Sequence, residues 1–484
     1  MAPAPGVPPT PPPAEPLTIS DTHVDSPPGS RTLTVSWHTN IAAATVGASG
    51  VGGQATVWTP ADSGQTDHQT VFSNLAPSTQ YRLLLYAVDD WGRQQSAELQ
   101  VVTPPRAPAP TAQKNGTSLL VDGQPFFPIA LWALCPGEID TKLAEGVNLF
   151  MSSSCGKDRQ FVDELAGRAL TVVDPATAAE GGDGLIGWHY PDEWDNWLPS
   201  DVTPGMLAGT APPPEPPLLT FLTLTNHFYS YAAPLPQGRG MYPLLAQTAD
   251  VLGFDLYPLQ SWCNLDAFAH VYESQRELVR LAACKPTYQW IEAAPMEHCP
   301  QPELAPTAQT VRAETWLAIA GGATGIGYFP NGWTDEIGDE ITRTDREIRE
   351  LTPALLAPAT EEVHADQAAI KIGARVLNGA LYVIAVNSSH SLVTTNVDVP
   401  AFFGSQLEVY DEQRQVAATN GAFTDVFEPL QVHVYIAAPQ LGVESASEPL
   451  TPNGADGTRS FAATESRQAY EDFVAPADFG ALLP

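Results

Sequence analysis

The feature that most constrains the fold is an alternation of short apolar runs with helical segments between residues 127 and 329. A strand buried on both faces reads as a continuous apolar run, because helices cover both sides of a parallel sheet. Helical spacing of apolar residues is clearest over 266–283 and 307–319. Eight such runs alternating with helices predict a (β/α)8 barrel, the TIM-barrel fold. The predicted strands are 127–134, 147–152, 169–173, 185–190, 218–225, 251–256, 287–291 and 325–329.

β-rich segments flank this region on both sides. The run 32–37 alternates apolar and polar residues with period two, and after residue 358 the pattern returns to short strands such as 380–387 and 432–437. Alternation of this kind is typical of half-buried strands in β-sandwiches. The sequence therefore predicts a multidomain chain in which a barrel lies between two β-sandwiches. The predicted domains are a Pro-rich leader (1–16), an N-terminal β-sandwich (17–104), a linker (105–117), the barrel (118–358), a small C-terminal β-sandwich (359–438) and a disordered acidic tail (439–484).

One motif gives the N-terminal segment a family resemblance. The run Leu75-Ala76-Pro77-Ser78-Thr79-Gln80-Tyr81 resembles the tyrosine corner of fibronectin type III domains, and Trp37 stands where their core tryptophan would be. The resemblance implies a sandwich domain that serves as a spacer or docking unit. We assign no chemistry to it.

The charge of the chain limits its partners. It has 55 acidic against 22 basic residues and a formal net charge of −33 at pH 7. A field of this sign repels nucleic acid, anionic lipid and strongly anionic polysaccharides. We therefore expect a neutral substrate and no nucleic-acid partner.

The leader and tail bear on localisation. No run reaches eighteen apolar residues, so no membrane insertion is expected. The leader 1–16 is Pro-rich, with neither a basic start nor an apolar core, and does not resemble a signal peptide. We expect an extracellular or surface-displayed protein, with docking to a cell or virion surface through the leader or the tail.

The five cysteines lack the close spacing of metal ligands, so neither a metal nor another cofactor is expected. Four of them follow predicted barrel strands, where neighbouring loops meet. This placement predicts the disulfides Cys135–Cys155 and Cys263–Cys299. Cys284 precedes a strand and is expected to be a buried free thiol.

Carboxylates at the ends of predicted strands point to the chemistry. The fourth strand leads directly into Asp192 and Glu193, between Trp188 and Trp194, and the seventh leads into Glu292. Barrel enzymes carry their reacting groups at the carboxyl ends of the strands, so these acids are expected at one mouth. An acid can protonate a glycosidic oxygen, and aromatic rings can stack on sugar rings.

This pattern resembles the clan A glycoside hydrolases, which carry a Glu after strand four and another after strand seven. The resemblance implies that Glu193 is the acid/base and Glu292 the nucleophile of a retaining double displacement on a neutral β-linked glycan. It also implies that Tyr257 donates a hydrogen bond to Glu292 and that Trp333 forms the floor of a sugar subsite. Asp255 is expected to support the site rather than to react. Further candidate substrate contacts are Trp132, Trp188, Asp192, His189 and His227.

One departure leaves alternatives open. The clan usually has Asn before the acid/base, whereas this chain has Asp192, which can only accept hydrogen bonds when ionised. Asp192 is thus an alternative acid, and an inverting hydrolase that uses it is one rival. The other rival is an inactive carbohydrate-binding surface or virion protein built on the same barrel.

Overall fold

The computed structural model describes residues 15–26, 33–50, 57–58, 62–72, 75–76, 78–105, 110–156, 158–165, 167–199, 201–203, 206, 218–400 and 406–438. The chain divides into a compact unit, Met1–Gln440, and a second unit, Leu441–Pro484. The second unit lies outside the described residues, and so do the predicted tail 439–484 and most of the predicted leader.

A closed barrel of eight parallel strands forms the centre of the compact unit, with the strands in sequence order. Every predicted run contains or overlaps one of them, so the predicted number and order of strands are confirmed. The barrel strands, numbered one to eight below, are Ile129–Trp132, Leu149–Met151, Leu170–Val173, Leu185–His189, Leu219–Leu224, Val251–Asp255, Thr287–Glu292 and Gly325–Phe329.

Helices follow most of the strands. The segment Ala308–Ala320 is buried on nearly all sides, because it lies between the barrel and a C-terminal sheet. Among the helices of the described residues, none combines the length and apolar character that a membrane span requires. The helices are Ile139–Glu145, Asp158–Leu165, Pro175–Glu180, Trp194–Trp197, Tyr242–Thr248, Ala269–Ala282, Ala308–Ala320 and Asp335–Leu355, with short 3-10 turns at Pro136–Glu138, Asn226–Phe228 and Pro302–Leu304.

Aromatic side chains fill the interior of the barrel. Glycines face the rings of Tyr288 and Trp290: a Cβ at Gly253 would lie 2.1 Å from the first ring, and one at Gly327 would lie 2.2 Å from the second. Only a residue without a side chain fits at these two positions. The Tyr288 hydroxyl is 2.8 Å from the Thr223 Oγ1, so the polar end of this buried ring has a partner.

A small antiparallel sheet covers the amino-terminal end of the barrel. Its strands are Ala112–Asn115, Ser118–Val121 and Gln124–Phe126, so the first begins inside the predicted linker. Leu119 packs into the barrel interior, and Lys114 pairs with Asp250 at 2.6 Å. This plug leaves the carboxyl end of the strands as the functional face.

The N-terminal segment forms an antiparallel sheet structure built around one long strand, Leu33–Gly50. Trp37 is 4% exposed and lies in the core, and Tyr81 Oη accepts a 2.8 Å hydrogen bond from the Ala76 N–H. These are the contacts expected of a tyrosine corner, and the fibronectin type III assignment stays a prediction. The strands are Ile19–Asp25, Leu33–Gly50, Val57–Trp58, Asp62–Phe72, Gln80–Asp89 and Gln94–Val102.

The C-terminal segment forms two antiparallel sheets around a common core. Alternate residues of the strand Ala380–Asn387 face opposite ways: Val383 packs into this core, and Ile384 packs against the barrel helices. The sandwich is thereby joined to the barrel by apolar contact. Its strands are Ala359–Thr360, His364–Ala365, Ile370–Leu377, Ala380–Asn387, Val393–Asp398, Gln406–Val409, Arg414–Ala417, Ala422–Phe427 and Val432–Ala437.

The cysteines confirm one prediction and correct another. Cys135–Cys155 and Cys263–Cys299 form the two predicted disulfides. Cys284 is exposed, so the predicted burial of this thiol is wrong. It lies in the turn that follows the helix Ala269–Ala282, before strand seven enters the core.

We expect an aromatic disulfide reagent to modify one thiol per native chain without prior reduction, because Cys284 is exposed and the other four cysteines are paired. The colour released by the reagent measures the number of accessible thiols. The variant Cys284→Ser should release none. More than one thiol in the native wild type, or any in the variant, would contradict the two disulfides.

Candidate active site at the barrel mouth

Three carboxyl groups lie close enough at the mouth to influence one another electrostatically. Asp192 and Glu193 follow strand four, and Asp255 is the last residue of strand six. The negative charges of Asp192 and Glu193 both raise the pKa of Asp255, and the charge of Asp192 raises that of Glu193. A group of acids that cannot all ionise together keeps a proton among them.

Asp255 is the acid most strongly held in its protonated form. It is partly buried, and burial raises the pKa of its carboxyl well above the ordinary value, with Asp192 as the next largest cause. A 2.8 Å hydrogen bond from the Tyr257 hydroxyl to Asp255 Oδ1 acts in the opposite direction without reversing the shift. Expected from sequence to play a supporting role, Asp255 instead has the raised pKa of a general acid.

Asp192 and Glu193 lie on a tight turn after strand four. Glu193 has a φ of +47°, a left-handed conformation that non-glycine residues adopt at a cost of about 1 kcal/mol or more. Burial is the largest cause that raises the pKa of each carboxyl. Asp192 is nevertheless exposed over much of its surface. A side chain on the wall of a concave mouth is both reached by water and surrounded by protein.

His189 faces Asp192 and is fixed by a chain of hydrogen bonds. Its Nε2 is 2.5 Å from Ser152 Oγ, which in turn donates to Asp158 Oδ2 at 2.9 Å. Its Nδ1 donates to the Tyr190 carbonyl at 2.8 Å. The proximity of His189 lowers the pKa of Asp192 against the effect of burial. His189 therefore favours the ionised form of Asp192.

Two more of the predicted contacts also lie at the mouth. The Trp132 ring is 5.1 Å from that of His189 and 6.0 Å from that of Trp290, which makes an aromatic wall at the end of strand one. His227 lies near Glu193 and lowers the pKa of that carboxyl. Of the residues predicted from sequence, the structure thus brings together Trp132, His189, Asp192, Glu193, His227, Asp255 and Tyr257, and it adds Ser152 to them.

Glu292 does not lie in the open mouth, which contradicts its predicted position as the nucleophile. Its side chain is fully buried. Its two oxygens accept hydrogen bonds from the backbone N–H groups of Leu259 (2.8 Å) and Gln260 (2.7 Å). The buried carboxyl of Glu314, on the helix after strand seven, lies close enough for the two acids to influence each other's pKa. Glu292 therefore anchors the loop after strand six.

Three other predicted roles are also contradicted. Tyr257 donates to Asp255 rather than to Glu292. Trp188 is 4% exposed and packs outward against Tyr190, since alternate residues of strand four face the helices. Trp333 lies under the Lys142 ammonium, 3.4 Å from its ring centroid, and donates to Glu145 at 3.2 Å. Neither tryptophan ring is available to stack on a sugar in the mouth.

Among the described residues, one group of side chains is close enough together to be considered as a metal site. The group there that could hold an ion is Cys263, His298 and Cys299. Both cysteines belong to the same disulfide, so neither offers a thiolate.

No protein-family model and no curated protein matches the sequence. Solved structures that match include the beta-glucuronidase of Ruminococcus gnavus, at 10% identity over 65% of this chain with a TM-score of 0.33, and this chain spans 61% of that enzyme's length. A Bacteroides vulgatus protein provisionally named a glycoside hydrolase matches at 10% identity over 82% of this chain and 95% of its own, with a TM-score of 0.43. A Bacteroides fragilis protein provisionally named an alpha-galactosidase/melibiase matches at 10% identity over 87% of this chain and 92% of its own, with a TM-score of 0.44. These likenesses are too distant to assign an activity to this chain.

Proposed function

We propose that this chain is a glycoside hydrolase whose reacting groups are Asp192 and Asp255. The observation that carries the proposal is the placement of the two acids: Asp192 follows strand four, and Asp255, which accepts a 2.8 Å hydrogen bond from Tyr257, ends strand six at the same mouth of the barrel. A protonated acid beside an ionisable one is the pair that hydrolysis of an acetal requires.

The two carboxyl groups take different parts in the proposed reaction. Asp255 gives its proton to the glycosidic oxygen as the bond from that oxygen to the anomeric carbon breaks, and the leaving sugar departs as an alcohol. A carboxylate oxygen of Asp192 bonds to the anomeric carbon and forms a glycosyl ester. Asp255, now ionised, takes a proton from water, and the resulting hydroxide displaces Asp192 and restores both groups.

This reaction keeps the retaining double displacement implied by the family resemblance, with Asp192 in place of Glu292 as the nucleophile and Asp255 in place of Glu193 as the acid/base. Retention requires carboxyl groups about 5 Å apart, whereas an inverting enzyme separates them by about 6.5–9.5 Å to admit a water. The inverting rival uses the same two residues, with Asp192 as the base that activates that water.

A neutral β-linked glycan is the proposed substrate. The net charge of −33 and the three mouth carboxyls disfavour anionic sugars. Trp132 offers a ring at the rim, and His227, whose Nδ1 bonds to the Ala233 carbonyl, offers its Nε2 to a sugar hydroxyl group. The two disulfides support the proposed extracellular or surface-displayed localisation, because such bonds persist in oxidising compartments.

The test is release of sugar or aryl alcohol from a panel of aryl α- and β-glycosides and neutral polysaccharides. We expect wild type to cleave at least one β-linked substrate, and proton NMR of the first product to show the retained anomer. First appearance of the opposite anomer would establish the inverting rival. Saccharide binding without product in long incubations would favour the carbohydrate-binding protein and overturn the enzyme proposal.

A further inference from the structure

A cluster of aromatic rings joins the loop after strand five to the segment that follows strand six. Tyr231 is 69% exposed, and its ring stacks on that of His270 at 4.1 Å and 25°. The centroid of the Trp262 ring lies 6.2 Å from that of Tyr231 and 6.5 Å from that of the buried Tyr229. We call Tyr231, Trp262 and His270 the aromatic platform.

The platform is held rigidly. The Tyr229 hydroxyl is 2.8 Å from His270 Nδ1 and donates to Glu273 at 2.9 Å. Arg239 donates to the carbonyls of Tyr229 and His227, each at 2.9 Å. An exposed ring that is fixed in advance loses little conformational entropy when a ligand stacks on it.

Charged side chains with both signs surround the exposed ring. A shallow depression beside Tyr231 is lined by Glu273, Arg276, Glu277 and Arg280. Its two carboxylates and two guanidinium groups balance, in a chain whose net charge is −33. Arg280 makes no hydrogen bond or ion pair with any of the described residues. The depression thus offers the apolar face of the Tyr231 ring, the carboxylate acceptors of Glu273 and Glu277 and the guanidinium donors of Arg280, and its charges balance.

We propose that the aromatic platform and this depression form a second saccharide-binding site, which holds a neutral pyranose unit of a polymeric glycan. The ring of Tyr231 covers the apolar face of the sugar, and Glu277 and Arg280 bind its hydroxyl groups. The loop that carries Tyr231 also carries His227 to the mouth beside Glu193. A glycan chain that crosses the mouth therefore extends along this loop. The link to cleavage rests on the proposed function, whereas binding at the platform does not.

The test compares wild type with Tyr231→Ala, Tyr231→Phe and Trp91→Ala. Phenylalanine keeps the ring and removes only the hydroxyl, and Trp91 is a 42% exposed aromatic of the N-terminal segment. Electrophoresis through gels that contain β-glucan, xylan, mannan or galactan measures binding without turnover. We expect at least one polysaccharide to slow wild type, with a dissociation constant about tenfold weaker for Tyr231→Ala and unchanged for the other two variants.

Turnover separates the site from a structural role. If the chain is an enzyme, Tyr231→Ala should raise KM about tenfold on the polysaccharide and leave kcat/KM on a short aryl glycoside unchanged. Equal losses on both substrates would assign Tyr231 a structural role and overturn the proposal. The proposal would also be overturned if no polysaccharide slowed wild type in the gel, or if Tyr231→Ala bound as tightly as wild type. If Tyr231 is needed for binding in the gel but no substrate is cleaved, the second saccharide-binding site would stand and only the proposed hydrolase activity would be rejected.

Discussion

Asp255→Asn should lower kcat at least about a thousandfold on any glycoside that wild type cleaves, whereas Glu292→Gln should stay within about tenfold. Asn keeps the shape of the side chain and the hydrogen bond from Tyr257, yet it has no acidic proton to give to the leaving group. Removal of a general acid typically costs a factor of about 100 to 10,000. Steady-state kinetics on the best substrate of the panel measures the difference.

Glu292→Gln is the matched control, because it makes the same carboxyl-to-amide change at the other predicted catalytic position. In wild type, the two carboxylate oxygens of Glu292 accept hydrogen bonds from the backbone N–H groups of Leu259 and Gln260. The glutamine amide nitrogen of the variant cannot accept, so one of these two hydrogen bonds is lost. We therefore expect this variant to lose about 1–3 kcal/mol of unfolding free energy while its activity survives at low temperature. A folded Glu292→Gln protein without activity, beside an active Asp255→Asn, would favour Glu292 as the nucleophile and reject our assignment.

Asp192→Asn separates the roles within the mouth. If Asp192 is the nucleophile, this variant should also lose at least about a thousandfold in kcat, and azide should restore cleavage by attacking the emptied position to give a glycosyl azide. If Glu193→Gln alone abolishes activity, Glu193 replaces Asp192 in that role. The pH dependence of kcat/KM then gives the pKa values of the acid and the base in the free enzyme.

The barrel was predictable because its signal is local. A strand covered on both faces is largely apolar and carries no charge, and runs such as 219–224 and 325–329 show this without any knowledge of their neighbours. The acid at the end of strand four was predictable for the same reason. The hairpin within the sheet at 112–126 also has a local signal, because Asp122-Gly123 is a pair typical of tight turns, and both residues adopt positive φ values in the structure.

The remaining site was not predictable, because it depends on where side chains point after a strand ends. Glu292 and Asp255 both close a strand, and nothing in their immediate sequence separates a buried anchor from an acid in the mouth. The difference comes from distant groups: Glu314 and the amides of the loop after strand six hold Glu292. Trp333 is likewise fixed by Lys142, about 190 residues earlier in the chain, and not by its neighbours.

The unfolding free energy should fall by about 3 kcal/mol as pH rises from 4.5 to 7 through Glu292 alone, and Glu314 adds to this fall. Burial raises the pKa of Glu292 from its ordinary 4.5 to about 7, and burial together with the charge of Glu292 raises that of Glu314 well above its ordinary value. In this interval the folded protein keeps a proton that the unfolded chain has released, so rising pH favours unfolding. A pKa that is higher by one in the folded protein than in the unfolded chain corresponds to about 1.4 kcal/mol. Urea unfolding followed by tryptophan fluorescence between pH 5.0 and 7.5, above the sequence pI of about 4.4, measures most of the fall.

Glu314→Gln isolates this pair from the other buried acids. Burial also raises the pKa of Asp345 and Asp255, so both add to the decline in wild type. A glutamine amide at position 314 donates to the Glu292 carboxylate at every pH and removes the competing negative charge, so Glu292 no longer needs a proton in the folded state. The slope of unfolding free energy against pH should therefore be clearly shallower in this variant than in wild type. Equal slopes, or a wild type that gains stability up to pH 7, would show that the two carboxyls do not share a proton in the folded protein.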